Sequence, residues 1–323
     1  MLAACYKEYG DPYQVLELCE VPKVELGPQD VCIKMLACLI HPSDLEQIQG
    51  TYGCLFSLPH PKVAGKAGIG EICEIGSEVT NIKVGMRVQM PSDLGTWRTH
   101  AVTNYRNLIP IPKNLPIEWA AQSLLDPLIA WRLLMDFVPL KAGDWIIQDA
   151  ADSTIGHCIN QLCDLLGYKL INVVHNDHQA KQLKSLGISH VITDDDLTHL
   201  KCISNGALPK LALSSTGGEF FTFLADSLDT NGTLVCFAGD FHLPISFPSR
   251  ALLLNNIQIR GFRLEVWEQL HSPAEKYDCM KRIWELLQSR QLTLSVDASF
   301  HLQDLKNGIQ LAQQKKSVLF VNG

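Results

Sequence analysis

The residues of this sequence whose types and order could bind a phosphate lie between positions 149 and 157. The segment reads Asp-Ala-Ala-Asp-Ser-Thr-Ile-Gly-His and separates a strand-like apolar run from a helix-like run. In a dinucleotide-binding unit, such a turn lets the backbone approach a pyrophosphate, and the next helix presents its N–H groups and positive dipole end. Gly156 is the one glycine left of that fingerprint, and Ser153 and Thr154 can donate hydroxyl hydrogen bonds. Taken alone, Gly156 fits close helix–strand packing equally well.

The residue after the second strand of such a unit distinguishes the two nicotinamide cofactors. An acidic side chain binds the ribose 2′-hydroxyl of NADH, whereas a basic one binds the 2′-phosphate of NADPH. Here the chain reads Val-Val-His-Asn-Asp-His over residues 173–178. Protonated His175, with His178 and Lys181, can hold a phosphate, although less firmly than an arginine. The sequence therefore favours NADPH over NADH; the alternative is that His175 is an ordinary surface residue.

These candidates lie in a regular alternation of strands and helices. Helical periodicity over 117–137 is broken by Pro127, and strand-like runs then begin at Asp144, Lys169, His190, Leu211, Gly232 and Ile257. Helix-like segments, 156–166 and 177–186, separate the first of these runs. Apolar strands that alternate with amphipathic helices are typical of a doubly wound parallel sheet.

The remainder of the chain has a β-rich pattern. Residues 31–37 and 69–75 are strand-like, and many glycines and prolines punctuate the first 115 residues. A helix over 275–289 and a strand over 317–321 close the sequence. The fold class is therefore α/β, with a β-rich domain and a doubly wound parallel-sheet domain.

The composition excludes several kinds of partner. The 323 residues carry a formal net charge of -7, which disfavours nucleic acid and anionic membrane surfaces. Hydrophobic residues make up 46% and charged residues 19%, as in soluble globular proteins. No apolar run reaches the roughly 20 residues of a membrane span, and the N-terminus resembles neither a signal peptide nor an import leader. We therefore expect a cytoplasmic protein.

The 11 cysteines are spread along the chain without a CxxC pair. A disulfide framework or a structural zinc site needs clusters at short spacing. We therefore expect reduced, largely buried thiols and no metal.

Several motifs, in order and at matching spacing, carry a family resemblance. They are Gln-Gly-Thr-Tyr-Gly (49–53), His-Pro-Ser-Asp (41–44), Gly-Thr-Trp-Arg (95–98), Trp-Arg-Leu-Leu-Met-Asp-Phe (131–137), Leu-Gly-Ile-Ser-His-Val-Ile (186–192) and Gly-Phe (261–262). Essentially the whole chain resembles the mitochondrial-type trans-2-enoyl thioester reductases, zinc-free members of the medium-chain dehydrogenase/reductase superfamily that are allied to quinone oxidoreductases. The resemblance implies a GroES-like catalytic domain (1–117 with 263–323) and a Rossmann domain (118–262).

The resemblance also implies roles for individual residues. Tyr52 corresponds to the family's catalytic hydrogen-bond donor and acid; without the resemblance, we would interpret it as a loop aromatic. The implied substrate pocket contains His41, Trp97, Asp126, Phe262 and Arg263. The cofactor-binding candidates are Ser153, Thr154, Ile155, Gly156, His175, Lys181, Phe237 and Gly239.

Zinc ligands are missing at the positions where zinc-bearing relatives carry them. His41 stands where those relatives have a cysteine, and their Gly-His-Glu motif is replaced by Gly65-Lys66-Ala67. A lysine and an alanine cannot complete a tetrahedral site, so His41 is more simply a packed or hydrogen-bonded side chain.

Differences from the family pattern gather at the implied site. Asp126 replaces an asparagine, His175 an arginine and Arg263 a tryptophan. Gly-Lys-Ala-Gly (65–68) replaces Gly-Asn-Glu-Gly, and Thr-Ile-Gly (154–156) replaces Gly-Val-Gly. Either the affinity for the cofactor is weakened, or the substrate pocket is altered.

Three functional hypotheses follow from the sequence. The first is an NADPH-dependent reductase of an activated C=C bond in a small molecule, with 2-enoyl thioesters as the favoured class. The second is a quinone or enone oxidoreductase of the same fold, and the third is a non-catalytic descendant that binds a partner or a small ligand. By resemblance, we expect a homodimer formed through the strand 256–260 at the edge of the Rossmann sheet.

Overall fold

The computed structural model describes residues 1–52, 61–193, 197–239, 244–314 and 316–322. Gly53 of the 49–53 motif lies outside the described residues. The chain divides into two compact units, the first formed by residues 1–125 and 273–323 and the second by residues 126–272. The domain limits drawn from the sequence stay a prediction.

Strands and helices are numbered in chain order. The strands are β1 (Leu2–Tyr6), β2 (Glu17–Glu20), β3 (Asp30–Ile40), β4 (Lys62–Val63), β5 (Gly68–Ile75), β6 (Arg87–Gln89), β7 (His100–Asn104), β8 (Ile109–Pro110), β9 (Trp145–Gln148), β10 (Lys169–Val174), β11 (Val191–Thr193), β12 (Leu211–Ser214), β13 (Thr233–Cys236), β14 (Gln258–Gly261), β15 (Ala298–Phe300) and β16 (Val318–Val321). The helices are α1 (Pro12–Val15), α2 (Pro42–Gln49), α3 (Ile117–Gln122), α4 (Asp126–Met135), α5 (Thr154–Leu166), α6 (Asp177–Ser185), α7 (Leu197–Ile203), α8 (Gly218–Ser227), α9 (Ser249–Leu253), α10 (Leu264–Leu270), α11 (Pro273–Gln288) and α12 (Leu305–Ala312).

The first unit is β-rich, as predicted. Its larger sheet has the order β15-β16-β3-β5-β6-β8, and β7 also pairs with β3; a smaller sheet has the order β2-β1-β4. The long strand β3 supplies buried side chains from both halves, among them Ile33 and Met35. Trp97 and Phe320 join them in one apolar cluster. Burial of this apolar surface is the main force that holds the unit together.

The second unit contains a parallel sheet in the order β11-β10-β9-β12-β13-β14. All its described pairings are parallel, and β9 and β12 are buried along their whole length, as expected where helices cover both faces. The strand order reverses between β9 and β12, which is where ligands bind in sheets of this kind. The predicted doubly wound sheet is therefore confirmed.

The predicted helix break near Pro127 lies slightly earlier in the structure. Helix α3 ends at Gln122 and α4 begins at Asp126, so that Pro127 occupies the first turn of α4. Proline is tolerated there because a first-turn N–H has no partner within the helix. Among the described helices, none is long and apolar enough to span a membrane.

One pair of cysteines corrects the prediction that the thiols are reduced. Cys5 and Cys19 form a disulfide with a Cα–Cα distance of 6.0 Å. In the antiparallel pairing of β1 with β2, Ala3 lies opposite Cys19 and Cys5 lies opposite Glu17. Cys5 and Cys19 are therefore diagonal neighbours on one face of the sheet. The prediction was wrong because it considered only spacing along the sequence and not pairing across strands.

The remaining described cysteines differ in accessibility, which gives a testable prediction. Cys38, Cys158 and Cys163 are buried; burial raises the pKa of Cys38 to about 12 and also raises the pKa of Cys158 and Cys163. Cys73 and Cys202 are exposed. We expect iodoacetamide at pH 8 to alkylate Cys73 and Cys202 while the three buried thiols stay unmodified until urea is added, as mass spectrometry can measure. Equal labelling of all five in the native protein would contradict this assignment.

Candidate active site

The phosphate-binding candidates form the turn between β9 and α5. Ser153 caps α5, and its hydroxyl accepts a hydrogen bond from the Gly156 N–H at 3.0 Å. The N–H groups of Thr154 and Ile155 precede the first hydrogen bond within the helix, so they have no partner inside it. They are available to the oxygens of an anion at the positive end of the helix dipole.

Gly156 lies where the backbone of this turn is crowded. A Cβ atom at this position would lie 2.7 Å from the carbonyl oxygen of Ala151 and 2.8 Å from that of Ala150. Ala150 adopts a positive φ of 46° to close the turn. Gly156 is therefore required for close packing between the turn and the helix, and the same packing sets the shape of the turn that is predicted to bind phosphate.

Replacing Gly156 by Ala should damage both the turn and the binding of a dinucleotide. Because the added methyl group overlaps two carbonyl oxygens, we expect a loss of about 1 to 3 kcal/mol in the free energy of unfolding. We also expect NADPH binding to weaken about tenfold, equivalent to about 1.4 kcal/mol. Nicotinamide fluorescence and urea unfolding measure the two effects. Lys201→Ala, at an exposed position on α7 of the same unit, is the control and should change neither quantity. Unchanged NADPH binding by Gly156→Ala would refute this prediction.

A buried polar network supports the turn, and it was not predicted from the sequence. The Gln148 side chain donates to the Asn172 Oδ1 at 2.8 Å and to the Gly156 carbonyl at 3.2 Å. Asn160 and Asn172 exchange hydrogen bonds of 2.9 and 3.0 Å. The network ties β9, α5 and β10 together. Amide side chains inside otherwise apolar strands are the signal that could have revealed it, because buried polar groups need partners.

Asp149 joins the turn to the loop after β12, at the point where the strand order reverses. The carboxylate is 2% exposed. It accepts hydrogen bonds from the Ser214 hydroxyl (2.8 Å), the Ser215 N–H and hydroxyl (2.6 and 2.8 Å) and the Thr216 hydroxyl (2.7 Å). This role was also missed, because the partners lie 65 to 67 positions along the chain.

Phe237 and Gly239, two of the predicted cofactor residues, lie beside this loop. The Phe237 N–H donates to the Ser214 carbonyl at 3.0 Å. Gly239 has a φ of 126°, and a Cβ there would approach the Thr216 carbonyl oxygen at 3.4 Å. The structure therefore brings both residues to the same end of the sheet as Asp149.

His175 directly follows β10 and is exposed. Its ring packs edge-on against Phe220, with the ring centroids 4.5 Å apart. The His175 N–H donates to the Gln179 Oε1 at 3.0 Å, and the Gln179 Nε2 donates to Asp152 at 2.8 Å. Gln179 thus links the second strand to the phosphate turn, while Asp152 places a negative charge beside it. Lys181 is exposed on α6.

Three of the implied pocket residues belong to the second unit. Asp126 is 5% exposed at the start of α4. Burial, with the Asp126 charge as a second cause, raises the pKa of Cys158 on α5, so Asp126 lies near that helix. Phe262 is 8% exposed and packs edge-on against Phe137. Arg263 precedes α10, with its Nε 3.7 Å from a Glu265 oxygen.

Tyr52 lies in the first unit, just beyond the end of α2. Gly50 ends that helix in the left-handed conformation, with a φ of 80°. The Tyr52 N–H donates to the Glu46 carbonyl at 3.3 Å. The Lys66 Nζ lies 3.7 Å from the centroid of the Tyr52 ring, which is a close cation–π contact. The family resemblance implies a role for Tyr52, whereas its contact with Lys66 becomes visible only in the fold.

His41 is the N-cap of α2. Its Nδ1 accepts from the Ser43 N–H at 3.2 Å, and the Asp44 carboxylate accepts from the His41 N–H at 2.9 Å. The two residues form a capping box. His41 therefore stabilises the start of α2. This agrees with the interpretation of His41 as a hydrogen-bonded side chain. Among the described residues, no group of three or more His, Cys, Asp and Glu side chains could hold a metal ion.

Trp97 requires a correction. It has no exposed surface, and its Nε1 donates to the Leu39 carbonyl at 3.0 Å. Its ring packs edge-on against Phe320 at 5.4 Å. The structure gives Trp97 a place in the core of the first unit and no surface with which to contact a substrate. The motif was correctly noticed, but aromatic side chains of this size are buried more often than they line a site.

Comparison with known proteins places these features in a family. Residues 27–113 match the alcohol dehydrogenase GroES-like domain, and residues 154–276 match the zinc-binding dehydrogenase family. The mitochondrial enoyl-[acyl-carrier-protein] reductase of Homo sapiens is 36% identical over 97% of this chain and 85% of its own length. The chain belongs to the mitochondrial enoyl-[acyl-carrier-protein] reductase family. The predicted family and the GroES-like and Rossmann fold are thereby confirmed.

Two solved structures extend the comparison. The first is the crystal structure of a Bacillus thuringiensis protein named as an NADPH:quinone reductase. It is 26% identical, with a TM-score of 0.90 over 100% of this chain and 99% of the other. The structure of Etr1p with NADP and crotonyl-CoA is 26% identical, with a TM-score of 0.86 over 99% of each chain. The human family member is named mitochondrial, and the cytoplasmic location of this chain stays a prediction.

Proposed function

We propose that this protein reduces the C=C bond of a trans-2-enoyl thioester with NADPH. The observation that carries the proposal is the Tyr52 phenol, fixed at the end of α2 beneath the Lys66 ammonium, in a chain of the enoyl reductase family. A phenol is suited to stabilise a negative charge that develops on a thioester oxygen. The solved Etr1p complex with NADP and crotonyl-CoA supports this substrate class.

The second unit fits a dinucleotide. The N-terminus of α5, with Ser153, Thr154, Ile155 and Gly156, would hold the pyrophosphate. His175 and Lys181 would approach the 2′-phosphate, and Phe237 and Gly239 would line the cofactor further along the strand ends. When bound, NADPH supplies a hydride. Asp152 opposes the phosphates, but its hydrogen bond to Gln179 holds its charge on the side of α6.

Tyr52 is the catalytic residue in this proposal. As a hydride adds to the β-carbon of the substrate, the π electrons move to the thioester oxygen, and the Tyr52 hydroxyl donates a hydrogen bond to it. A proton from Tyr52 or from water then reaches the α-carbon, and water restores the phenol. His41 supports α2, the helix that precedes Tyr52. The substrate contacts that the family resemblance implies for Asp126, Phe262 and Arg263 stay a prediction. No step uses a metal.

Two measurements test the proposal. Nicotinamide fluorescence is expected to show micromolar binding of NADPH and weaker binding of NADH. NADPH oxidation at 340 nm is then expected with crotonyl-CoA and longer 2-enoyl thioesters. Binding of NADPH without turnover of any thioester would overturn the proposed substrate class. The absence of binding to either cofactor would favour a non-catalytic descendant, for which the Asp152 carboxylate in the phosphate turn provides the physical reason.

A second candidate is reduction of quinones or enones. The similarity to the Bacillus thuringiensis structure favours it, and the same hydride transfer would serve a different acceptor. Steady-state turnover of quinones distinguishes the two candidates, because a quinone accepts electrons without a thioester oxygen for Tyr52 to stabilise. Turnover of quinones by both the wild-type protein and Tyr52→Phe, with none on thioesters, would establish this alternative.

We also propose a homodimer formed through β14. This strand is at the edge of the parallel sheet, where unpaired backbone groups invite a second strand. Leu253 and Leu254, shortly before it, are 79% and 77% exposed and would provide apolar surface at such an interface. Light scattering after size exclusion should give twice the 35.9 kDa mass of the chain. A monomer at micromolar concentration would refute this proposal.

A further inference from the structure

Lys66 stands in a loop whose backbone is fixed on both sides. The Gly65 carbonyl accepts from the Thr96 N–H at 3.0 Å, and the Ala67 carbonyl accepts from the Leu39 N–H at 3.0 Å. Gly65 has a positive φ of 92°, and a Cβ there would overlap the Trp97 ring. The position of the Lys66 Cα is therefore set by the core of the first unit.

Tyr52 is fixed from the other side. The N–H groups of Thr51 and Tyr52 both donate to the Glu46 carbonyl, at 3.0 and 3.3 Å. The two half-buried side chains, anchored on different elements, meet where the Lys66 Nζ lies 3.7 Å from the Tyr52 ring centroid. A cation at this distance over an aromatic face is attracted by the ring quadrupole, so the contact restricts how the ring can turn.

Two acids on α2 interact electrostatically with the Lys66 ammonium. Burial raises the pKa of the Asp44 carboxyl and of the Glu46 carboxyl, and the positive charges of Lys66 and His41 act against that rise in both cases. Asp44 is 1% exposed at the start of α2, and Glu46 is on the same helix. The positive charge of Lys66, together with that of His41, thus counteracts the desolvation of two acids on α2, the helix that ends three residues before Tyr52.

We propose that Lys66 is a positioning residue for Tyr52, which clamps the phenol ring against the end of α2 and adds a fixed positive charge where the thioester oxygen becomes negative. This inference rests on the proposed function of Tyr52. Lys66 takes no part in the proton transfer of the proposed reaction; it affects the stability of the enolate. The sequence has a lysine here where the family pattern has a different residue, so the clamp would be a feature of this chain.

Lys66→Met and Lys66→Arg test the proposal with crotonyl-CoA and NADPH. Methionine keeps the apolar stem without the charge, and a small displacement of a catalytic group can slow a reaction about 100-fold. We expect Lys66→Met to lower kcat about 10- to 100-fold, while KM and the Kd of NADPH change less than threefold. Arginine can also stack on the ring and carry the charge, so we expect Lys66→Arg to recover most of the activity. Lys83→Met, at an exposed lysine of the same unit, is the matched control and should equal the wild type.

The outcomes separate this inference from the proposed function. If the wild type reduces thioesters and Lys66→Met keeps its kcat within threefold, the positioning role is wrong and the proposed function stands. If the wild type reduces no thioester, the proposed function fails, and crystal structures of the wild type and Lys66→Met decide about the clamp. A Tyr52 ring that is well ordered in the wild type and loses its fixed orientation in Lys66→Met would support the clamp. The same ring position in both would overturn it.

Discussion

Tyr52→Phe is expected to lower kcat for 2-enoyl thioesters about 100- to 1,000-fold, the usual effect of removing one donor to a developing oxyanion. Phenylalanine retains the aromatic face on which the Lys66 ammonium lies, so the substitution removes the hydroxyl and leaves the ring in place. The Kd of NADPH should stay within twofold, because the cofactor residues belong to the second unit. Stopped-flow measurement of NADPH oxidation gives the rate, and fluorescence gives the Kd.

Tyr105→Phe serves as the control. Its hydroxyl lies 3.5 Å from the Thr80 hydroxyl at the surface of the first unit, and its loss should leave kcat unchanged. A Tyr52→Phe variant with at least half of the wild-type kcat would remove Tyr52 from the mechanism. It would also favour an acceptor, such as a quinone, whose reduction needs no hydroxyl at this position.

The order of strands and helices in the second unit could be predicted because each element carries a local signal. Strand β10 and its limits, residues 169–174, follow directly from a short apolar run between two helical patterns. The parallel sheet then follows from the alternation itself. The edge position of β14 in this sheet agrees with the expectation drawn from the resemblance.

The support of the site could not be predicted, because it depends on contacts across the sheet. Asp149 was seen in the turn, but its partners Ser214, Ser215 and Thr216 follow a strand that becomes its neighbour only through the strand order. The Cys5–Cys19 disulfide has the same origin, since it depends on the pairing of β1 with β2. Lys66 was noticed as a departure from the family, and only the fold revealed its contact with Tyr52.

Trp97→Ala is expected to destabilise the first unit by about 3 to 5 kcal/mol, the cost of emptying the space of a large buried aromatic side chain. The ring has no exposed surface, packs against Phe320 and donates to the Leu39 carbonyl. Its removal leaves a cavity and an unpaired carbonyl in the core. Urea unfolding followed by circular dichroism measures the loss, and a change below about 1 kcal/mol would place Trp97 outside the core.

Trp97→Phe separates packing from hydrogen bonding, because it keeps most of the ring and loses only the N–H. We expect the free energy of unfolding to fall by about 1 kcal/mol because the hydrogen bond is lost. The loss from packing should be smaller than in Trp97→Ala. The comparison also bears on the function, because the loop that carries Lys66 is bound on both sides. Before Lys66, the Ala64 and Gly65 carbonyls accept from the backbone N–H groups of Trp97 and Thr96. After it, the Ala67 carbonyl accepts from the Leu39 N–H, and the Leu39 carbonyl in turn accepts from the Trp97 Nε1. If the core sets the position of Lys66, then Trp97→Ala should lower kcat at temperatures where the protein remains folded, and Trp97→Phe should leave kcat near that of the wild type.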